Sequence, residues 1–143
     1  MDYVGRFAPS PTGPLHYGSL VAAVASFLDA RHAGGKWLLR IEDLDPPRES
    51  IDAPREIIRQ LLALGLHWDL EVLCQSSRLK SYDAALESIQ TFTFPCTCSR
   101  KAVPDIYPGT CRLRKHLAPG GPYAVRLQVP RHSVSINDRC LGL

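Results

Sequence analysis

With 143 residues, 45% of them hydrophobic and 22% charged, and a formal net charge of +3, the chain has the balance of one globular domain with enough apolar side chain to bury a core. No stretch approaches the ~18 apolar residues of a membrane span, and the opening, with Asp2 and Arg6 around a short apolar run, lacks the form of a secretory leader. A membrane protein is therefore excluded from the reading, and the cytoplasm is the expected compartment. Five cysteines, an odd number in such a chain, point to thiols or a metal and away from disulfides.

Gly5 to Ser19 reads as the end of a strand, a Pro/Gly-punctuated loop and the start of a helix. Pro9, Pro11 and Pro14 stiffen the loop, while Gly13 and Gly18 let backbone approach a ligand closely. The helix over Ser19–Ala33 places Leu20, Val24, Phe27 and Leu28 on one face and Ala22, Ala23 and Ala25 where close packing is wanted, and Gly34-Gly35 ends it. Its positive N-terminus then lies beside His16, a place suited to an anion or a triphosphate. His16 taken singly reads as a packing or capping residue.

Lys36–Ile41 is a short apolar run between Gly-Gly and an acidic turn, as in a buried parallel strand. A right-handed crossover brings the ends of both strands to one sheet edge, so the His16 loop and Glu42-Asp43 are expected to share a crevice. Further elements are a helix over residues 53–64 with Ile57, Ile58, Leu61 and Leu62 inward and Asp52 as cap, a strand over 70–73, and a helix to about Ile89 capped by Ser76 or Ser77. On that last helix Tyr82, Ala85, Leu86 and Ile89 fall at helical spacing. Prolines and glycines from Pro95 to Pro122 break every period and mark an inserted loop region; Tyr123–Val129 reads as a strand again, with Val134–Ile136 as its candidate partner. The divisions expected are 1–91, 92–122 and 123–143.

Two groups of residues carry chemistry. Glu42, Asp43 and Asp45 repel one another unless a cation answers them, and either a substrate ammonium or the neighbouring Arg40 and Arg48 fits. Cys96, Cys98 and Cys111 can reach one tetrahedral ion, with His116 or Cys74 as the usual kind of fourth ligand. Arg100, Lys101, Arg112, Arg114, Lys115 and His116 crowd around these cysteines, as a nucleic-acid-facing patch or as a solvated surface. Cys74 and Cys140 read as small core residues, Trp37 and Trp68 as core, His32 and His67 as capping or surface residues, and Tyr17 as an adenine contact or a packing residue.

Arg6-Phe-Ala-Pro-Ser-Pro-Thr-Gly13, His16-Tyr-Gly-Ser19 and Arg40-Ile-Glu-Asp-Leu-Asp45 together resemble the start of a class I glutamyl-tRNA synthetase-type catalytic domain. Pro46-Pro-Arg-Glu49, with Cys96-x-Cys98 and Tyr107-x-x-x-Cys111, resembles the glutamyl-Q tRNA(Asp) synthetase branch, which also tolerates Ser19 in place of a second His. The resemblance implies a Rossmann-like parallel α/β sheet with a zinc-binding insertion. It also implies a ligase that activates L-glutamate with ATP and Mg2+ as glutamyl-adenylate and transfers it to the queuosine base in the anticodon of tRNA(Asp), with neither DNA nor a membrane as partner. Charging of a tRNA acceptor end and zinc-dependent RNA binding without catalysis are the alternatives.

By the same resemblance Arg6, Phe7, Ala8, Pro9, Ser10 and Glu42 bind L-glutamate, Glu42 through the amino group. Pro9, Ser10, Pro11, Thr12, Gly13, Pro14, Leu15, His16, Tyr17, Gly18 and Ser19 form the ATP motif, His16, Gly18 and Ser19 serve catalysis, and Cys96, Cys98, Tyr107 and Cys111 bind one Zn2+. The family's second half, with its Lys-x-Ser-Lys type loop, finds no match, since Lys80-Ser81 falls on a helix. Only the first half of the fold is therefore expected here, with apolar sheet surface left uncovered and the isolated chain unstable, dimeric or inactive.

Overall fold

The computed structural model describes residues 3–103, 106–113, 121–129, 134–138 and 142. The chain forms two compact units, Met1–Tyr82 and Asp83–Leu143.

The first unit is built on β1 (Val4–Phe7), α1 (Tyr17–His32), β2 (Lys36–Ile41), α2 (Ala53–Ala63) and the short β3 (Leu73–Cys74). The three strands are parallel in the order β1-β2-β3, with Val4 opposite Lys36 and Arg40 opposite Leu73. Period-two alternation turns Gly5, Phe7, Trp37, Leu39 and Ile41 to the helical side of the sheet, where they are buried with Ile57 and Leu61 of α2. The Trp37 ring is the centre of this core. It meets Phe27 edge-on at 5.2 Å, lies parallel to Phe7 at 6.3 Å, and donates through Nε1 to Ser26 Oγ at 3.0 Å.

α1 buries a different face from the one expected. Ala23 and Ala30 are fully buried, Phe27 is half-buried against them, and Val24 and Leu28 face outward, Leu28 being 59% exposed. Small residues win because the helix lies close on β1: a Cβ on Gly5 would stand 3.1 Å from Ala30 Cβ and 3.2 Å from the Ser26 carbonyl. In α2 the expected inward set holds for Ile57, Ile58 and Leu61, while Leu62 is exposed; Asp52 makes no side-chain cap bond, and Pro54 occupies the first turn.

The third strand lies at Leu73–Cys74, later than expected. Leu70 has φ +63° and is 69% exposed, a left-handed residue that no strand carries. The chain instead first touches β2 through Asp69, whose N–H donates to the Trp37 carbonyl at 2.7 Å and whose carboxylate accepts from Trp37 N–H at 2.7 Å and Arg31 Nη1 at 2.7 Å. α3 (Leu79–Ser88) follows a 3-10 turn at Gln75–Arg78. No residue of α3 is buried, and Tyr82 is half-buried. Ser77 does not cap it; its hydroxyl donates to the Cys74 carbonyl at 2.7 Å.

In the second unit β4 (Thr93–Cys96) pairs antiparallel with β5 (Ala124–Leu127), Thr93 opposite Leu127 and Cys96 opposite Ala124. The partner of the returning strand is thus β4, and the expected pairing with Val134–Ile136 is replaced: those residues are described outside any strand, and the nearby bridge joins Asp138 to Gly142. Pro95 hid β4 from a reading by period, yet a two-stranded ribbon with an open edge tolerates the missing donor. Among the described residues Phe94, Cys96 and Cys111 form the buried centre of this unit.

Candidate active site and metal centre

The loop between β1 and α1 is tied down from three sides. Glu42 N–H donates to the Pro9 carbonyl at 3.0 Å, Ser50 N–H to the Pro11 carbonyl at 2.9 Å, and Leu15 N–H to Gln60 Oε1 of α2 at 2.8 Å. Pro9 and Pro11 are buried, and Ser10 between them is exposed. His16 is the N-cap of α1, with an extended backbone and Nδ1 accepting from Ser19 N–H at 3.2 Å. Accepting at Nδ1 assigns the neutral ring's proton to Nε2, which lies 3.1 Å from Ser19 Oγ.

Above this cap is a cleft of about 390 Å³ bordered by Phe7–Ser10, Thr12–His16, Gly18, Ser19 and Ala22. The anion-facing loop and the helix N-terminus read from the sequence therefore line one space. Tyr17 stands apart at 83% exposure, which removes its packing reading.

Each carboxylate of the acidic turn has a partner. Glu42 Oε1 accepts from Arg40 Nε at 2.6 Å, Asp45 pairs with Arg48, and Asp43 accepts from Ser76 N–H at 3.0 Å and from the Ser76 hydroxyl. The local ion pairs weighed for Glu42 and Asp45 are thus formed. Burial works to raise the Asp43 pKa, but the hydrogen bonds from Ser76 outweigh it and hold the carboxyl below its ordinary value. Arg6 and Arg40 project from the sheet face opposite α1. There they border a second cleft of about 390 Å³ together with Glu71, Arg78 and Tyr82, over a floor that includes Leu38 and Leu73. The structure joins the acidic turn to the motif loop through backbone, and places the Arg6 and His16 side chains in separate clefts.

Three residues of this region escaped the sequence reading: Gln60, Ser50 and, in its actual role, Ser76. Gln60 left one signal, a polar side chain between the inward Ile57 and Leu61 of α2.

In the second unit the Sγ atoms of Cys96, Cys98 and Cys111 all lie within 4.8 Å of one another, and Cys98 and Cys111 are 3.5 Å apart. Tetrahedral zinc with bonds of about 2.3 Å spaces its sulfur ligands roughly 3.8 Å apart, so the three thiols fit one ion. Tyr107 Oη lies 3.5 Å from Cys96 Sγ and accepts from Cys111 N–H at 2.8 Å. Hydrogen bonding with Tyr107 is the main cause that brings the Cys96 thiol down to about 6, burial opposing it and the Arg126 guanidinium assisting. The Cys111 thiol is likewise lowered, chiefly by Tyr107, while Cys98 is raised by its contact with Cys111. The three thiols, held this close together, are compatible with one soft cation.

Cys74 is half-buried against the first unit's core, its thiol pushed up by burial and then by Asp43. Among the described residues it joins no group of metal-ligating side chains. Cys140, His116, Arg114 and Lys115 lie outside the described residues. Of the other basic residues, Lys101 is exposed and Arg112 lies over the Phe94 ring, 5.5 Å from its centroid.

A profile of the family described as tRNA synthetases class I (E and Q), catalytic domain, matches residues 3–103. The chain belongs to this synthetase family. Two curated relatives, the glutamyl-Q tRNA(Asp) synthetases of Pseudomonas paraeruginosa and Thiobacillus denitrificans, are 50% and 51% identical to it over 99% and 97% of its length. The chain spans about half the length of these relatives, 49% and 50%. A crystal structure of glutamate-tRNA synthetase from Elizabethkingia anophelis aligns with a TM-score of 0.66 at 33% identity, over 71% of this chain and 23% of that one. A glutamate tRNA ligase from Elizabethkingia meningosepticum, in complex with its amino acid, aligns with a TM-score of 0.65 at 33% identity, over 71% of this chain and 22% of that one. The β1-α1-β2 unit of this synthetase domain is accordingly part of a class I catalytic fold. No helix among the described residues is long and apolar enough to cross a membrane.

Proposed function

We propose that the protein carrying this chain is a cytoplasmic ligase that activates L-glutamate with ATP, Mg2+ accompanying the nucleotide, and transfers the glutamyl group to the queuosine base in the anticodon of tRNA(Asp). The observation that carries this reading is the cleft at the N-terminus of α1, lined by the motif loop and capped by His16 and Ser19. A glutamate carboxylate oxygen attacks the α-phosphorus of ATP, pyrophosphate leaves, and the resulting acyl-adenylate yields its glutamyl group to the tRNA with release of AMP. The chain's part is positioning and charge stabilisation. The His16 ring and the N-terminus of α1 serve the phosphates, Pro9 to Ser19 shape the nucleotide cleft, and Arg6 to Ser10 hold glutamate, the Arg6 side chain acting from the second cleft. Glu42, which pairs with Arg40, receives the substrate's ammonium.

Cys96, Cys98, Tyr107 and Cys111 hold one Zn2+ in this reading, and the ion serves as a structural clamp on a loop with little core of its own. Support comes from sulfur spacing that suits a single tetrahedral ion.

The test is glutamate-dependent ATP–pyrophosphate exchange by the full-length protein. His16→Ala is expected to slow exchange by about 100-fold, the usual scale for one preorganised stabilising group; an unchanged rate removes His16 from the mechanism. A panel of tRNAs with and without queuosine separates transfer to the modified base from charging of an acceptor end.

A further inference from the structure

The thiol cluster of the second unit has more negative charge than a divalent ion neutralises. Three thiolates around Zn2+ leave a net charge of roughly −1, and an ionised phenol deepens it. In a half-buried setting such a charge calls for a fixed cation beside it. One side chain is built into that position. The β4–β5 register sets Arg126 opposite Phe94 and Ala124 opposite Cys96, so Arg126 rises on the same ribbon face as Cys96, one step along the diagonal. Its Cζ lies 4.5 Å from the centroid of the Tyr107 ring. Its Nε is buried without a hydrogen-bond partner among the described residues.

We propose that Arg126 is a positioning residue of the metal centre, supplying the positive charge that balances the thiolates and holding the Tyr107 ring in place. It rests on the zinc reading given above. Arg112 offers an internal comparison. Its guanidinium is also stacked on a ring of this unit, that of Phe94, but it is exposed and so compensates the cluster weakly.

The experiment is equilibrium competition for Zn2+ between a chromophoric chelator and the protein, parent and variants, at one pH and ionic strength, with Co2+ spectra reporting the number of thiolate ligands. Arg126→Met is expected to weaken zinc binding about 10- to 100-fold, the range seen when outer partners of metal ligands are removed, with the thiolate bands of the Co2+ form retained. Arg126→Lys, which keeps the charge and loses the planar packing, is expected to fall between, and Arg112→Met to stay near the parent. If Arg126→Met does not fold, the neutral Arg126→Gln takes its place under the same criterion. A neutral variant that binds zinc as tightly as the parent, or an equal loss in Arg112→Met, overturns the assignment of Arg126 and leaves the metal site standing. A parent that binds no zinc overturns the metal reading itself, and this one with it.

Discussion

Gln60→Ala tests whether α2 holds open the cleft at the N-terminus of α1. Gln60 Oε1 accepts the Leu15 N–H at 2.8 Å across 45 residues of chain, immediately before the His16 cap. Removing the acceptor leaves a half-buried N–H to find water, and a hydrogen bond of this kind contributes about 1 kcal/mol, up to about 3 when the orphaned group stays dry. The other ties of the loop, to Pro9 and Pro11, are backbone and survive. Urea unfolding followed by the fluorescence of Trp37 and Trp68 should therefore show a loss of about 1 kcal/mol with an unchanged slope. In the full-length protein the KM for ATP should rise severalfold. Gln60→Glu keeps an oxygen acceptor in place and should recover most of both. If Ala and Glu variants fall equally, or if stability falls while the KM for ATP is untouched, the bond to Leu15 does not shape the cleft.

Gly35→Ala would place a Cβ 2.2 Å from the Tyr3 carbonyl oxygen, against backbone that cannot yield without opening the Lys36 N–H bond to the same oxygen. A loss of about 3 kcal/mol or more is expected by thermal unfolding, and a variant as stable as the parent would refute the tight β1–β2 entry. Chelation of zinc should abolish amide protection over β4 and β5 while the Trp37 signal of the first unit persists; retained protection would show that Phe94, Cys96 and Cys111 suffice as a core. Asp69 is held below its ordinary pKa, first by the Arg31 hydrogen bond and then by Trp37 N–H. Its stabilising contribution is therefore full above the unfolded value of about 3.9 and is lost as pH falls through the lower folded value. Asp69→Asn should be the less stable protein at pH 7 and converge with the parent in acid, and a gap that widens towards low pH would contradict the pairing.

Local chemistry made part of this protein legible from the chain alone. Lys36–Ile41 is a short apolar run between Gly34-Gly35 and an acidic turn, so β2 could be read to the residue. Pro9 to His16 carries its own stiffness, and the helix that follows supplies a cap position for His16 whatever the rest of the fold does. Cys96-x-Cys98 and Cys111 in one Pro/Gly-rich loop carried a metal-ligand pattern of their own, while Tyr107 was legible only through the resemblance.

Tertiary structure decided what periodicity cannot. α1 is apolar on several sides, and its close approach to Gly5 of β1 buries Ala30, with Ala23 also buried, while Val24 and Leu28 face outward. Asp43 found Ser76 across 33 residues, Asp69 found Arg31 across 38, and Leu15 found Gln60 across 45. The partner of β5 turned out to be a strand interrupted by proline. In each case the deciding interaction joins groups far apart in sequence, and its energy depends on distances that exist only once the sheet and its helices have packed.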